Sequence, residues 1–213
     1  MKKLLLSIFD RTGNASRPYR EDPNWEVIQI DIQNGIDYLS FDVETELESF
    51  FVRNGHYPKV GVIAMVPCTH DAVSGAKHFA IKDATGITQA ETDPLVNKLK
   101  DDIDYLKREG ILLFWQIENP RTRLHKRHPW IGPITQRFNP CDFAGYDPVP
   151  DNSRYNKDTW LFGEFNKMIP KPMTAIYKES PIWSKYGGKS LRTKNARSIS
   201  PLGFCYAFHQ ANN

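Results

Sequence analysis

The chain has 213 residues, of which 40% are hydrophobic and 25% are charged, and its formal net charge at pH 7 is +3. These values are typical of a soluble globular protein that is long enough for one well-buried domain. The small net charge does not by itself indicate a nucleic-acid partner. No apolar run reaches the roughly 18 residues that a transmembrane helix needs, which argues against a membrane span.

The cysteines and the start of the chain indicate the compartment. Cys68, Cys141 and Cys205 are unevenly spaced and form neither a disulfide framework nor a Cys-x-x-Cys metal pair. The apolar stretch at 4–9 ends at Asp10 and is too short for a secretory signal. We therefore predict a cytoplasmic, reduced protein with no membrane partner.

Strand and helix signals alternate through the first half of the chain. Short apolar runs predict four strands, at 3–9, 25–31, 59–66 and 111–117. Helical periodicity predicts two helices, at 44–53 and 93–108, the second with Asp93 as N-cap and Pro94 at its first position. Farther along, the sequence predicts a single strand at 159–165 and a helix at 200–212. This pattern predicts an α/β fold with a mostly parallel sheet and helices on both faces.

Polar and reactive side chains follow the predicted strands. In an open parallel sheet, ligands bind beyond the carboxyl ends of the strands. Four strand exits carry such groups, namely Asp10 to Gly13, Asp31, Pro67-Cys68, and Glu118-Asn119-Pro120. This edge of the sheet is therefore the predicted functional site.

Each of these residues has a functional and a structural interpretation. Cys68 at the edge of an apolar run is a candidate nucleophile, or a structural thiol. Glu118 on a neighbouring strand could protonate or hydrogen-bond a heterocycle that Cys68 attacks, or it could cap the following turn. Asp31 could accept hydrogen bonds from ribose hydroxyls, or it too could cap a turn.

A metal site is not predicted. Cys68, His70 and His78 are the ligands that could be considered. A zinc deaminase would need Pro-Cys-x-x-Cys and His-x-Glu, but residue 71 is aspartate and no His-x-Glu occurs.

Taken in order, these motifs resemble the cytosine-C5 methyltransferases. The resemblance covers residues 3–120 and rests on five stretches, which are "IFDRTG", Asp31, "NGID" with Asp37, "PCTHDAVSGA" and "WQIENP". The later half is similar to small methyltransferase-like proteins of phages in "FNPCDFAGYDP", "RYNKDTWLFGEF" and "RSISPLGFCYAFHQAN". The resemblance implies one Rossmann-like domain over 1–213, with a cofactor-binding and catalytic half at 1–120 and a smaller part at 121–213.

The resemblance also implies a reaction and a set of site residues. Cys68 would attack C6 of cytosine and Glu118 would hold N3 and the exocyclic amine, with Arg154 or Lys157 as a basic group near the substrate. The cofactor would be S-adenosyl-L-methionine, and its implied contacts are Phe9, Asp10, Arg11, Thr12, Gly13, Asp31, Ile32, Asp37 and Pro67. The implied substrate contacts are Ser74, Asn119, Arg121, Arg123 and Lys126.

The chain departs from the family pattern at several positions. Arg11 stands where the family's loop has its first glycine, Val66 replaces the first proline of Pro-Pro-Cys, and Thr69-His70-Asp71 replaces Gln-x-Phe. Few residues follow the last predicted strand, so a large target-reading region is not expected. The basic stretches 121–128 and 185–197 could contact a DNA backbone, or they could be solvated loops.

Three functions remain open at this point. The first is methylation of DNA with low sequence specificity, and the second is C5 modification of a free pyrimidine nucleotide. The third is a catalytically silent relative of the fold that binds nucleic acid or another partner.

Overall fold

A computed structural model describes residues 1–177, 195 and 198–213. The strands are β1 (Lys3–Ile8), β2 (Trp25–Ile30), β3 (Val60–Ala64), β4 (Leu112–Pro120), β5 (Ile134–Phe138) and β6 (Thr159–Glu164). The α-helices are α1 (Arg17–Glu21), α2 (Val43–Asn54), α3 (Phe79–Ala84), α4 (Ile87–Glu91), α5 (Asp93–Arg108), α6 (Leu124–Arg127) and α7 (Leu202–Asn212). Short 3₁₀ helices lie at Ile32–Asn34, Tyr38–Ser40, Val73–His78, Pro129–Ile131, Pro140–Tyr146 and Pro150–Ser153.

The strands form one six-stranded sheet in the order β2-β1-β3-β4-β6-β5. Strands β1 to β4 are parallel to one another, and β6 is antiparallel to both β4 and β5. It follows that β5 runs in the same direction as β1 to β4. The prediction of an α/β fold with a mostly parallel sheet is confirmed, and this architecture is compatible with a Rossmann-like fold.

Helices cover both faces of the sheet, as predicted. On one face, α2 and α5 bury their apolar stripes in a core that includes Leu47, Phe50, Leu99 and Ile103. On the other face, α1 and α7 pack on a second, aromatic-rich core. Because both faces are covered, the central strand β3 is buried at every position, which explains its continuous apolar sequence.

Strand β4 is longer than predicted. It continues to Pro120 because β6 pairs with it as far as Pro120–Thr159, whereas β3 ends beside Ile117. Glu118 and Asn119 therefore lie inside the strand and not after it. The strand predicted at 159–165 is β6 and is not isolated, since it lies between β4 and β5.

Two helix starts also differ from the prediction. Helix α5 already includes Asp93, so Thr92 occupies the N-cap position. Helix α7 begins at Leu202 with Pro201 as the N-cap residue.

The basic segment 185–197 lies outside the described residues, except for Asn195.

Within the described ranges, none of the helices combines the length and the apolar character that crossing a membrane requires. The same ranges contain no cluster of three or more His, Cys, Asp or Glu side chains placed to hold a metal ion.

Candidate functional site

The sheet register brings the predicted strand exits to one level. Ile8 pairs with Ile30 and with Ala64, and Ala64 pairs with Ile117. The residues that follow in each strand therefore form the next row across the carboxyl edge of the sheet, which contains Phe9, Asp31, Met65 and Glu118. Cys68 lies three residues beyond this row. The structure thus gathers the ends of β1 to β4 at the edge where ligands bind in parallel sheets.

The loop after β1 is held by the carboxylate of Asp10. This side chain is buried, and its Oδ2 accepts hydrogen bonds from Ser7 Oγ at 2.9 Å, Ser16 N at 3.0 Å and Ser16 Oγ at 2.9 Å. A carboxylate with three internal donors stabilises its own loop. Asp10, implied to contact the cofactor, thus has its carboxylate turned into the protein.

The same loop closes against α1 at Gly13. This residue has a φ of +69°, and an added Cβ would lie 2.3 Å from Nη2 of Arg20 and 2.8 Å from Oε1 of Gln29. Arg20 donates to Ser16 Oγ and to Gln29 Oε1, both at 2.9 Å, and to the carbonyl oxygen of Gly13. An added Cβ here would displace the guanidinium of Arg20, and the positive φ itself favours glycine.

Two alanine variants distinguish the cost of the positive φ at Gly13 from the cost of displacing Arg20. Gly35 also has a positive φ, of +87°. Alanine at either position should therefore lower the free energy of unfolding by about 1–2 kcal/mol through backbone strain. Nothing lies within 4 Å of an added Cβ at Gly35, whereas at Gly13 it displaces Arg20. We expect the free energy of unfolding of Gly13→Ala to fall by about 1–2 kcal/mol more than that of Gly35→Ala, because hydrogen bonds of Arg20 break. Urea unfolding measures both variants, and equal losses would contradict this account.

Phe9 has an unusual backbone conformation. It is the one non-glycine residue in the described part of the chain with a positive φ, at 61°. Its amide donates to the carbonyl of Ile30 at 2.7 Å, and its ring packs edge-on against Tyr38 at 5.3 Å. Such strain costs on the order of 1–3 kcal/mol and is concentrated at functional sites. The position of Phe9, directly after the central strand β1, is consistent with a ligand-contacting role.

Asp31 and Asp37 both cap short 3₁₀ helices. Asp31 is buried and its Oδ1 accepts from Gln33 N at 2.8 Å, while Oδ1 of Asp37 accepts from Leu39 N at 3.0 Å. The turn-capping interpretation of Asp31 is therefore correct. Each carboxylate also has an Oδ2 without a hydrogen bond to the described residues. Ile32, next to Asp31, is 72% exposed and adds apolar surface.

The chain leaves β3 through exposed Pro67 and half-buried Cys68. The carbonyl of Cys68 accepts from Asp71 N at 3.3 Å and from Ala72 N at 3.0 Å, so one tight turn follows the thiol. Ser74 lies exposed in the next 3₁₀ helix.

The other two cysteines are poor candidates for a nucleophile. Cys205 is buried in α7 and donates to the carbonyl of Pro201 at 3.1 Å. Burial, together with the charges of Asp10, Glu118 and Asp147, raises the pKa of the Cys205 thiol. Burial and the adjacent Asp142 likewise raise the pKa of Cys141. Both therefore remain protonated thiols at neutral pH, and Cys68 is the remaining candidate.

Glu118 has a basic partner in Lys157. The side chain of Glu118 is 15% exposed, and its Oε1 lies 3.8 Å from Nζ of Lys157. Arg154, the other basic candidate, instead donates to Asp151 at 2.9 Å and to the carbonyl of Thr174 at 2.8 Å. The structure therefore brings Lys157, and not Arg154, to Glu118.

Tyr155 is a further residue of this site that the sequence did not indicate. It is buried, and desolvation followed by the charge of Glu118 raises the pKa of its hydroxyl. The hydroxyl therefore stays protonated at neutral pH. A tyrosine in an irregular, proline-rich stretch carries no sequence signal for this placement.

Asn119 connects the ends of two strands. It is 1% exposed, and its Nδ2 donates to the carbonyl of Val66 at 2.9 Å. This bond fixes the residue before Pro67-Cys68 relative to Glu118. Asn119 was implied to bind substrate, but its amide group is buried, so we assign it a positioning role.

The basic stretch 121–128 is largely engaged in internal ion pairs. Asp71 is fully buried, and it accepts from Arg123 at 3.2 Å and from Arg127 at 3.1 Å. Arg123 also forms two hydrogen bonds of 2.6 Å to Asp83, and Arg127 pairs with Asp93. Arg123 is thus held by two aspartates, with 17% of its side chain exposed, and its predicted contact with a substrate phosphate stays a prediction.

Two cations of this stretch are exposed, namely Arg121 and Lys126. The carbonyl of Arg121 accepts from Val73 N at 2.9 Å, which ties the backbone after β4 to the loop after Cys68.

Thr12, in the loop after β1, is half-buried and its hydroxyl accepts from Asn14 N at 3.3 Å.

A search against protein-family models finds no match for this chain, and a search of curated proteins finds no significant match.

Proposed function

We propose that the protein is an S-adenosyl-L-methionine-dependent methyltransferase that modifies C5 of cytosine in DNA through a covalent adduct on Cys68. The observation that carries this proposal is the placement of Cys68 and Glu118 at the same edge of a parallel sheet, after β3 and at the end of β4. The hydrogen bond from Asn119 to Val66 links these two strand ends. A thiol and a carboxylate on neighbouring strands suit attack on a pyrimidine ring.

The chemistry assigns one role to each group. The thiolate of Cys68 forms a bond to C6 of cytosine, which makes C5 electron-rich. A proton passed from Glu118 to N3 neutralises the negative charge that the thiolate brings to the ring, while the other carboxyl oxygen accepts from the exocyclic amine. After C5 is methylated, transfer of the C5 proton to water, loss of Cys68 as thiolate and return of the N3 proton to Glu118 restore the aromatic ring. Lys157 lies 3.8 Å from Glu118 Oε1 and would fix the orientation of the carboxyl group.

The residues at the ends of β1 and β2 fit the cofactor in part. S-adenosyl-L-methionine would supply the methyl group. Asp31 offers its second carboxylate oxygen to a ribose, with the exposed side chain of Ile32 beside it. Asp37 and Phe9 offer a further acceptor and an aromatic ring. The loop around Gly13 is less open than a phosphate- or cofactor-binding turn, because Arg20 fills the space beside it.

A free pyrimidine nucleotide is the second candidate substrate. It is favoured by the ion pairs of Arg123 and Arg127, which remove two cations from the surface that would contact a DNA backbone. A protein that binds fewer phosphates has a weaker electrostatic affinity for duplex DNA. A single nucleotide needs only one phosphate contact.

Transfer of labelled methyl from S-adenosyl-L-methionine tests the proposal. Duplex DNA, single-stranded DNA and dCMP are offered in parallel to the wild type, to Cys68→Ala and to Cys141→Ala. We expect label in DNA with the wild type and with Cys141→Ala, and a loss of more than about a thousandfold with Cys68→Ala, because the activated intermediate cannot form. Label only in dCMP would establish the nucleotide as substrate. Absence of transfer by folded wild-type protein would overturn the proposal.

A further inference from the structure

We propose that Arg11 forms an oxyanion-binding site at the carboxyl end of β1, which takes the carboxylate or phosphate group of a small ligand bound at this edge. The inference rests on the proposed function only for the identity of the ligands. The site itself follows from how the guanidinium is buried and what it contacts.

Arg11 differs from every comparable arginine in the described part of the chain. Four arginines there are half-buried, namely Arg11, Arg123, Arg127 and Arg154. The last three each form an ion pair with at least one aspartate. Arg11 forms none with any residue that the structure describes. The one hydrogen bond that its guanidinium forms with a described residue is from Nη2 to the carbonyl of Asn195, at 3.4 Å.

The donor edge of Arg11 is incomplete. Its Nε is buried and has no hydrogen-bond partner. In Arg137, the same edge binds both carboxylate oxygens of Asp158, with Nε at 2.5 Å and Nη2 at 2.9 Å. A buried charged donor without an acceptor is unfavourable, and the planar fork of Nε and Nη2 matches the two oxygens of a carboxylate or phosphate. Arg11 therefore presents a fork in which Nε has no acceptor and Nη2 is held only by the carbonyl of Asn195, at 3.4 Å.

Hydrogen bonds to its backbone place Arg11 at the ligand-binding edge. The carbonyl of Arg11 accepts from Gln29 Nε2 at 3.1 Å and from Asn34 Nδ2 at 3.0 Å, which fixes it between the ends of β1 and β2. Arg11 follows the strained Phe9 by two residues. Arg11, which the resemblance implies as a cofactor contact although it replaces a glycine of the family's loop, would thus contribute charge and hydrogen bonds at this edge.

The oxyanion could belong to either of two ligands. One source is the carboxylate of the amino-acid part of the cofactor, and the other is the phosphate of a nucleotide substrate. Two matched ligand pairs distinguish them. S-adenosylhomocysteine and 5′-methylthioadenosine differ by the amino-acid group, and dCMP and deoxycytidine differ by the phosphate.

Calorimetric binding of these four ligands to the wild type, Arg11→Gln and Arg17→Gln tests the proposal. Arg17 is the control because it is exposed and paired with Glu21. We expect Arg11→Gln to weaken one oxyanion-bearing ligand by about 10–100-fold, the range for charge-assisted hydrogen bonds, and to leave its truncated partner unchanged. A loss for S-adenosylhomocysteine identifies the carboxylate, and a loss for dCMP identifies the phosphate.

The other outcomes separate this inference from the proposed function. If the wild type binds these ligands and Arg11→Gln changes neither pair, or weakens both members of a pair equally, the oxyanion site is wrong while the proposed function stands. If the wild type binds dCMP but neither adenosine ligand, the cofactor assignment fails, and the dCMP pair still tests Arg11. If the wild type binds none of the four, both proposals are overturned. Thermal unfolding of Arg11→Gln confirms that the variant is folded.

Discussion

Replacing Asp71 with asparagine is expected to lower the free energy of unfolding by about 1.5–3 kcal/mol, the range for hydrogen bonds to charged groups, since Arg123 and Arg127 keep Asp83 and Asp93 as further partners. The side chain of Asp71 has no solvent exposure and lies between Arg123 and Arg127. An asparagine keeps the volume but leaves two guanidinium groups without their shared charge. The backbone of Asp71 is also held, because its carbonyl accepts from Arg123 N at 3.0 Å and from Thr122 Oγ1 at 3.1 Å.

The matched control is Asp83→Asn. Asp83 contacts the same arginine, Arg123, but its side chain is 41% exposed. Exposed ion pairs contribute about 0–1 kcal/mol, so a loss of this size is expected. Urea unfolding followed by tryptophan fluorescence measures both variants. A loss below about 1 kcal/mol in Asp71→Asn would contradict the claim that this network holds the loop after Cys68 against the segment after β4.

The network also shows why part of the site could not be predicted from the sequence. The strands β1 to β4 and the helices α2 and α5 were predicted because their apolar periodicity is local. The partners of Arg123 and Arg127 lie 52 and 56 residues away at Asp71, and no local pattern encodes such a pairing. A basic stretch considered alone therefore suggests a free, phosphate-binding surface.

The edge of the sheet gives a second example. Strand β5 was not predicted because it carries Thr135, Gln136 and Arg137, and only its last residue, Phe138, is buried. The end of β4 was placed too early for a related reason, since Glu118 and Asn119 belong to the strand only through pairing with the distant β6. Polar residues in strands are recognisable only when their partner strand is known.

Spacing was also insufficient to choose between Arg154 and Lys157. Both precede β6 by a few residues, and both carry a positive charge at neutral pH. The choice is decided by tertiary contacts, since Arg154 binds the carbonyl of Thr174 while Lys157 lies beside Glu118. The sequence predicted the carboxyl edge as the candidate site, and the pairing of charges within it required the fold.

Replacing Glu118 with glutamine is expected to slow formation of the covalent Cys68 adduct by about 100–1,000-fold, the range for removal of one preorganised group that stabilises charge in a transition state. The amide keeps the shape of Glu118 but has no acidic proton to pass to N3 when the thiolate brings negative charge to the pyrimidine ring. Adduct formation is measured by mass spectrometry, with DNA that contains 5-fluorocytosine and with S-adenosyl-L-methionine present. Cys68→Ser should form no adduct, and an adduct that survives in Cys68→Ser would remove this residue as the nucleophile.

Two further variants show whether the neighbours of Glu118 act through it. Lys157→Gln removes the charge 3.8 Å from Glu118 Oε1, and a loss of about tenfold is expected because the carboxylate is less well oriented. Arg154→Gln is the comparison, with a smaller expected change, because that guanidinium binds Asp151 and Thr174. An adduct that forms in Glu118→Gln at the wild-type rate would leave Glu118 as a structural residue at the end of β4, and the chemistry at Cys68 would then need another source of ring stabilisation.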